Sequence, residues 1–183
     1  MRKQVYFEEQ QRFNQGWLIA LMFVTSLAAL VPLVIAFYQQ IILQEPWGNQ
    51  PMSDAGLIAL CCGMFLALIG ANVFVFSSRL ETKIENNSIF YRYPPLISKW
   101  IKVDKTDING YQIKRFHPLF DFGGWGYRIG FRRKRAFHIK GNMGISLELA
   151  SGKTILLGTQ KPDMLQAAMR RVMKPMEEFE SHG

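Results

Sequence analysis

Two long apolar runs, at 16–43 and 55–78, dominate the hydrophobic pattern of the first part of the chain. No charged residue lies between Arg12 and Glu45, and none lies between Asp54 and Arg79. A helix crossing a bilayer needs about 20 predominantly apolar residues. A backbone inside lipid satisfies its polar groups only as a helix or a closed barrel. The pattern therefore predicts a two-helix transmembrane hairpin over 16–78, with a polar link at 44–54. Pro32 removes a backbone donor from the first span and predicts a kink there. Pro46, Gly48 and Pro51 in the link end both helices. Trp17, Tyr38 and Trp47 suit the interfacial aromatic belts.

After Arg79 the period changes to two. Leu80, Thr82 and Ile84 alternate with Glu81, Lys83 and Glu85, and Ile89, Tyr91 and Tyr93 continue after the turn residues Asn86 and Asn87. Similar short runs carry Ile101 and Val103, Tyr111 and Ile113, Tyr127 to Phe131, Phe137 and Ile139, Ile145 to Leu149, and Ile155 to Leu157. Turn chemistry separates them at Pro94-Pro95, Asn109-Gly110, Gly141-Asn142 and Ser151-Gly152. Seven or eight short strands joined by tight turns predict a mainly antiparallel β-sandwich or barrel. A helix over 160–173 follows, with Thr159 as N-cap, Pro162 in the first turn and an apolar stripe of Leu165, Ala168, Met169 and Val172. That stripe is expected to close an open end of the β structure. The resulting division is an N-terminal segment 1–15, the hairpin 16–78, a β domain 79–175 and a tail 176–183.

The 183 residues leave room for the hairpin and one domain of ordinary size. Charge adds orientation. Of 22 Lys and Arg, three precede the first span, none lies in the link and the rest follow Asp54. The positive-inside rule then places both termini and the β domain in the cytoplasm, with the link outside, in a multi-pass cell (inner) membrane protein. A cleavable signal is disfavoured: Glu8 and Glu9 stand before the apolar run, and the run continues well past the small residues at 26–28. The net charge of +8 suits an anionic lipid surface better than nucleic acid, for which no recognition fold is visible.

In the second span Gly56, Gly63 and Gly70 recur every seven residues, with Ala59 and Ala67 on nearly the same face. Small residues at this spacing let helix backbones approach closely. The face is expected to pack on Thr25, Ala29 and Ala36 of the first span, with self-association as the competing reading. Asn72 is expected to hydrogen-bond between helices rather than to serve transport. Cys61 and Cys62 are adjacent inside this span and read as small hydrophobes.

The stretches FGGWGYRIG at 122–130 and GNMGISLELASGKTILLGTQKPDML at 141–165 resemble bacterial PH-domain (pleckstrin-homology-like) membrane proteins, which carry two N-terminal spans before a cytoplasmic PH-like domain. The resemblance covers about 79–173 and the two-span layout. It implies a PH-like β domain of seven or eight strands capped by the C-terminal helix. It brings no catalytic residue, cofactor or metal.

Motifs that would carry chemistry are weak. Ser151-Gly152-Lys153-Thr154 ends like a phosphate-binding loop, but Leu147 stands where that motif needs glycine, and a strand follows where it needs a helix. Gly123, Gly124, Gly126 and Gly130 miss the dinucleotide-binding spacing. His117 lies in a loop, and His138 is expected to face solvent beside Lys140; neither has an identifiable nucleophile or orienting carboxylate. The remaining candidate is a basic hairpin of Arg128, Arg132, Arg133, Lys134, Arg135 and Lys140, placed to contact anionic lipid headgroups. The expected function is a non-enzymatic adaptor or assembly subunit for a protein partner, bound through a sheet edge or the 117–127 loop. The alternatives are a lipid-headgroup sensor and an accessory subunit of a membrane enzyme or transporter.

Overall fold

The computed structural model describes residues 4–129 and 134–173. The chain divides into two compact units: Phe13–Ser77, and Met1–Arg12 joined with Ser78–Gly183.

In the first unit, α1 (Gly16–Phe37) runs through Pro32 into a π-helical turn at Tyr38–Ile42, and α2 spans Asp54–Ser77. Both helices are long and apolar enough to cross a membrane. Their outer surfaces carry exposed Phe23, Val34, Leu66 and Val73, a sheath suited to lipid rather than water. The helices meet along a seam that includes buried Ala36 and Leu57. Asn72 Nδ2 reaches Ser26 Oγ on the opposite helix at 3.4 Å and the Leu68 carbonyl at 2.8 Å, the interhelical contact its sequence position suggested. Gln40 Nε2 donates to the Met52 carbonyl at 2.6 Å and to Asp54 Oδ1 at 2.8 Å, which closes the link.

The small-residue face lies outside this seam, which corrects the expected intrachain partner. Ala59, Gly63, Ala67 and Gly70 are exposed, and a Cβ added at Gly63 or Gly70 would meet nothing within 4 Å. Gly56 is half-buried, but its neighbours are Met52 and Ser53. On α1, Ala29 and Ala36 turn inward while Thr25 is exposed and bonds to the Leu21 carbonyl. Helix geometry gives the reason. Gly63 and Asn72 are nine residues apart, about 2.5 turns at 3.6 residues per turn, so they occupy opposite sides of the helix. Asn72 takes the seam and turns the glycines away.

The second unit contains two sheets. β1 (Val5–Arg12), β2 (Arg79–Glu85), β3 (Ser88–Tyr93) and β4 (Ile97–Asp104) form an antiparallel sheet in sequential order. β5 (Ile108–Arg115), β6 (Gly126–Ile129), β7 (Lys134–His138), β8 (Met143–Leu149) and β9 (Thr154–Thr159) form the other, in the order β5-β8-β9-β7-β6. Its β7–β9 pair is parallel and the rest antiparallel. A short helix α3 (Pro118–Phe122) lies between β5 and β6, and α4 (Pro162–Met173) follows β9. The described residues thus form nine strands instead of seven or eight, and the two sheets do not close into a barrel.

The additional strand is β1, which lies within the N-terminal segment 1–15 set apart from the β domain by the sequence pattern. Its inward positions are Phe7, Glu9 and Gln11, so the apolar alternation that marks the other strands is missing. Arg12 pairs with Arg79, and the chain therefore leaves the sheet and returns to it at partner residues. Asn109-Gly110 is also corrected: it lies inside β5, where the register shifts between Ile108 and Gly110, and a 3₁₀ turn at Lys105–Asp107 makes the connection instead.

The core centres on Phe137, which is fully buried. Its ring stacks on cross-strand Tyr127 at 4.8 Å and meets Tyr91 and Tyr93 of the facing sheet at 5.1 and 6.1 Å. Such aromatic pairs add stability beyond their buried area. α4 buries the predicted stripe of Leu165, Ala168, Met169 and Val172. Thr159 does not cap that helix. Its hydroxyl accepts the Lys161 N–H at 3.0 Å, and the first helical turn begins from the Lys161 carbonyl, which accepts the Leu165 N–H.

Candidate functional site

The basic stretch forms the expected hairpin, but its charges diverge. In the β6–β7 ladder Arg128 lies opposite Ala136 and Ile129 opposite Arg135. Arg128, Lys134, Arg135 and Lys140 are all exposed, while Arg132 and Arg133 lie outside the described residues. The Arg128 guanidinium folds against Gly124, where an added Cβ would stand 3.0 Å from Nη2. Lys140 follows the far end of β7, five residues from Arg135, and does not line the same space. Arg135 belongs to a different neighbourhood.

That neighbourhood is a cleft of about 420 Å³ between β4, β7 and the β8–β9 turn. Lys102 enters from β4, Arg135 from β7, and Lys153 with Thr154 from the turn and the start of β9. The buried Tyr91, Val103 and Ile155 contribute to its lining. The lining holds Lys102, Arg135 and Lys153 with one carboxylate, Asp107, and Asp104 beside it adds a second through its bond to Lys102. Lys102 is engaged by Asp104 at 2.7 Å, and Ser88 Oγ donates to the same Asp104 oxygen at 2.6 Å. These contacts hold the Asp104 carboxyl below its ordinary range, the Lys102 hydrogen bond being the largest cause. Arg135 and Lys153 make no ion pair among the described residues. Burial raises the Tyr91 phenol, and the Arg135 charge acts in the opposite direction.

The turn beneath Lys153 is a hairpin, as its following strand indicated. Leu149 N–H donates to the Lys153 carbonyl and Gly152 N–H to the Leu149 carbonyl, each at 2.9 Å. Gly152 has φ +73°, a region glycine enters without steric cost. Ala150 N–H donates to the Asp107 carbonyl at 2.9 Å, which ties the turn to the β4–β5 connection. In the sequence Arg135 stands out through its basic run, and Lys153 only through the incomplete phosphate-loop motif. Lys102 carried the weakest signal: one basic residue in an alternating strand.

His138 does not face solvent. It is fully buried, with Phe116 edge-on at a ring distance of 5.0 Å. β7 is an inner strand of its sheet, and both of its faces are covered near its end, so Phe137 and His138 are buried on opposite sides. Desolvation lowers the His138 pKa to about 4; a backbone hydrogen bond with Gly124 opposes the shift and the Arg128 charge adds to it. The neutral imidazole is thus a core group. Gly158 permits this packing, since a Cβ there would stand 2.7 Å from His138 Cβ. His117 is exposed, its ring near Phe120, and its backbone N–H donates to Asp121 Oδ2 at 2.8 Å.

Among the described residues of this unit, the most exposed large apolar side chains lie on the short helix after this histidine and on edge strand β6. Phe120 on α3 is 90% exposed and Ile129 on edge strand β6 is 71% exposed. No family model matches the chain, and no curated protein matches it either.

Proposed function

We propose that this protein is a non-enzymatic, membrane-anchored module with a PH-like domain, acting as an adaptor or assembly subunit for a protein partner at the cytoplasmic face of the cell membrane. With β6 and β7 set aside, seven antiparallel strands and one C-terminal helix remain, which is the outline of the PH superfold. The two spans fall between paired strands β1 and β2, so both flanks of the hairpin belong on one side of a bilayer. The distribution of Lys and Arg favours the cytoplasmic side. An accessory subunit of a membrane enzyme or transporter would use the same architecture.

The observation that carries the adaptor reading is the exposure of Phe120 and Ile129. Both lie in or beside the stretch singled out for partner binding, and large apolar groups so exposed favour burial against a second surface. Mild-detergent purification of the full chain tests this. A stoichiometric protein partner should be recovered, and Phe120→Asp should remove it without lowering the amount of the protein. Recovery of the full chain alone, or retention of the partner by Phe120→Asp, would contradict the reading.

Direct headgroup contact by Lys134 and Arg135 has less support. β2 runs seven residues from Arg79 to Glu85, about 20 Å at the usual strand rise. Arg12 and Arg79, where the chain passes to and from the helices, mark one end of that sheet. The β2–β3 turn and the Lys105–Asp107 turn mark the other, joined by a Lys105 N–H to Asn87 carbonyl bond. The Ala150–Asp107 bond and the pairing of Lys134 with Thr154 bring the start of β7 to this second end.

A further inference from the structure

We infer that the cleft between Lys102, Arg135 and Lys153 is a binding site for a soluble phosphate-bearing anion. Two elements distant in sequence, β7 and the β8–β9 turn, place Arg135 and Lys153 on this cleft, and Lys102 borders it already paired with Asp104. Like charges converging on one space repel one another, and a polyanion seated among them reverses the sign of that interaction. Arg135 supplies a planar fork suited to two phosphate oxygens, and Lys153 a compact charge with three donors. Ser151 and Thr154 add hydroxyl donors to the same lining. Tyr91, Val103 and Ile155 give the site an apolar side, against which a sugar or base ring attached to the phosphate can pack.

Volume and charge narrow the ligand class. The 420 Å³ of space falls in the lower part of the range for small-molecule pockets and exceeds the needs of one inorganic phosphate. Arg135 and Lys153, with Lys102 shared by Asp104, match a diphosphate or a phosphate monoester that carries further acceptors. Along the strands of the β unit the lining lies toward the end opposite Arg12 and Arg79, and we take the soluble source over the host bilayer. This inference is independent of the adaptor reading, which rests on Phe120 and Ile129.

The test uses the full chain in phosphatidylcholine nanodiscs, with pyrophosphate as the probe and calorimetry as the readout. Saturable one-to-one binding is expected, weakened at least tenfold by Arg135→Gln and by Lys153→Gln separately. Both side chains are exposed, so these variants should keep the fold, and thermal unfolding checks that. Lys140→Gln removes the same charge outside the cleft and should change binding less than twofold. Absence of saturable binding, or equal loss in Lys140→Gln and Arg135→Gln, overturns the site. A second arm replaces pyrophosphate with phosphatidylglycerol vesicles. Vesicle binding that needs Arg135 and Lys153, without pyrophosphate binding, would assign the cleft to a lipid headgroup and overturn the soluble source.

Discussion

Thr159 Oγ1 donates a 2.6 Å hydrogen bond to Glu9 Oε2, joining residues 150 positions apart with both apolar helices between them in sequence. The other Glu9 oxygen accepts the Gln160 N–H at 2.8 Å and Gln11 Nε2 at 3.2 Å. Gln11 Nε2 also donates to the Gly158 carbonyl at 2.8 Å. β1 is therefore fastened to the end of β9 by a buried polar cluster, in addition to its ladder with β2. Removing the carboxylate strands buried donors, each costing about 1–3 kcal/mol. Glu9→Ala should destabilise the β unit by about 2–3 kcal/mol in urea unfolding of the full chain in detergent. A change below about 0.5 kcal/mol, typical of unremarkable surface sites, would show that the cluster does not hold β1 in place.

The pairing of Arg12 with Arg79 makes the hairpin formally an insertion between two adjacent strands. Replacing 13–78 with an Asn-Gly turn should leave a soluble, folded β domain, because a two-residue turn of that type joins antiparallel neighbours. Far-ultraviolet circular dichroism and a cooperative thermal transition measure the outcome. A fragment starting at Arg79 should perform worse, since it exposes the β2 edge and leaves Thr159 and the Gln160 N–H without Glu9. Equal behaviour of the two proteins would mean that β1 contributes nothing.

This also shows what was legible in the sequence. Long uncharged runs reveal long apolar helices without reference to anything else in the chain, and α1 and α2 lie where the runs predicted. The alternation of Leu80 to Ile84 and of Ile145 to Leu149 likewise declares strands with one buried face. β1 is hidden in the sequence because Glu9 and Gln11 point inward, and their partners lie beyond both apolar helices in sequence. His138 is buried where alternation alone places it in solvent, because alternation assumes one wet face and its strand is covered on both. The cleft was the least legible feature, since a site assembled from β4, β7 and a β8–β9 turn has no local signature. Helix rotation is legible in the spacing alone: Asn72 and Gly63, nine residues apart, cannot both face α1.

His138 should leave a signature in the pH dependence of stability. Its folded pKa, lowered to about 4 by burial, is below the ordinary value of 6.5. Between these values the unfolded chain binds more protons than the folded one, so stability is fully present above pH 6.5 and falls as pH drops toward 4. A shift of this size corresponds to an effect on the order of 3 kcal/mol. Measured against His138→Gln, the wild-type protein should lose more stability across that window, as followed by urea unfolding at stepped pH. Parallel profiles for the two proteins would place the titration elsewhere.

One domain split by two spans, held on the cytoplasmic face, is the claim on which the rest depends, and cysteine accessibility in intact cells tests it directly. In a background with Cys61→Ser and Cys62→Ser, single cysteines are introduced as Glu8→Cys before the first span, Asn49→Cys in the link and Lys99→Cys on β4. All three native residues are exposed. With a membrane-impermeant maleimide, only the Asn49→Cys protein should label in intact cells, and the other two should label after permeabilisation. Labelling of Lys99→Cys from outside, or opposite behaviour of Glu8→Cys and Lys99→Cys, would contradict the account.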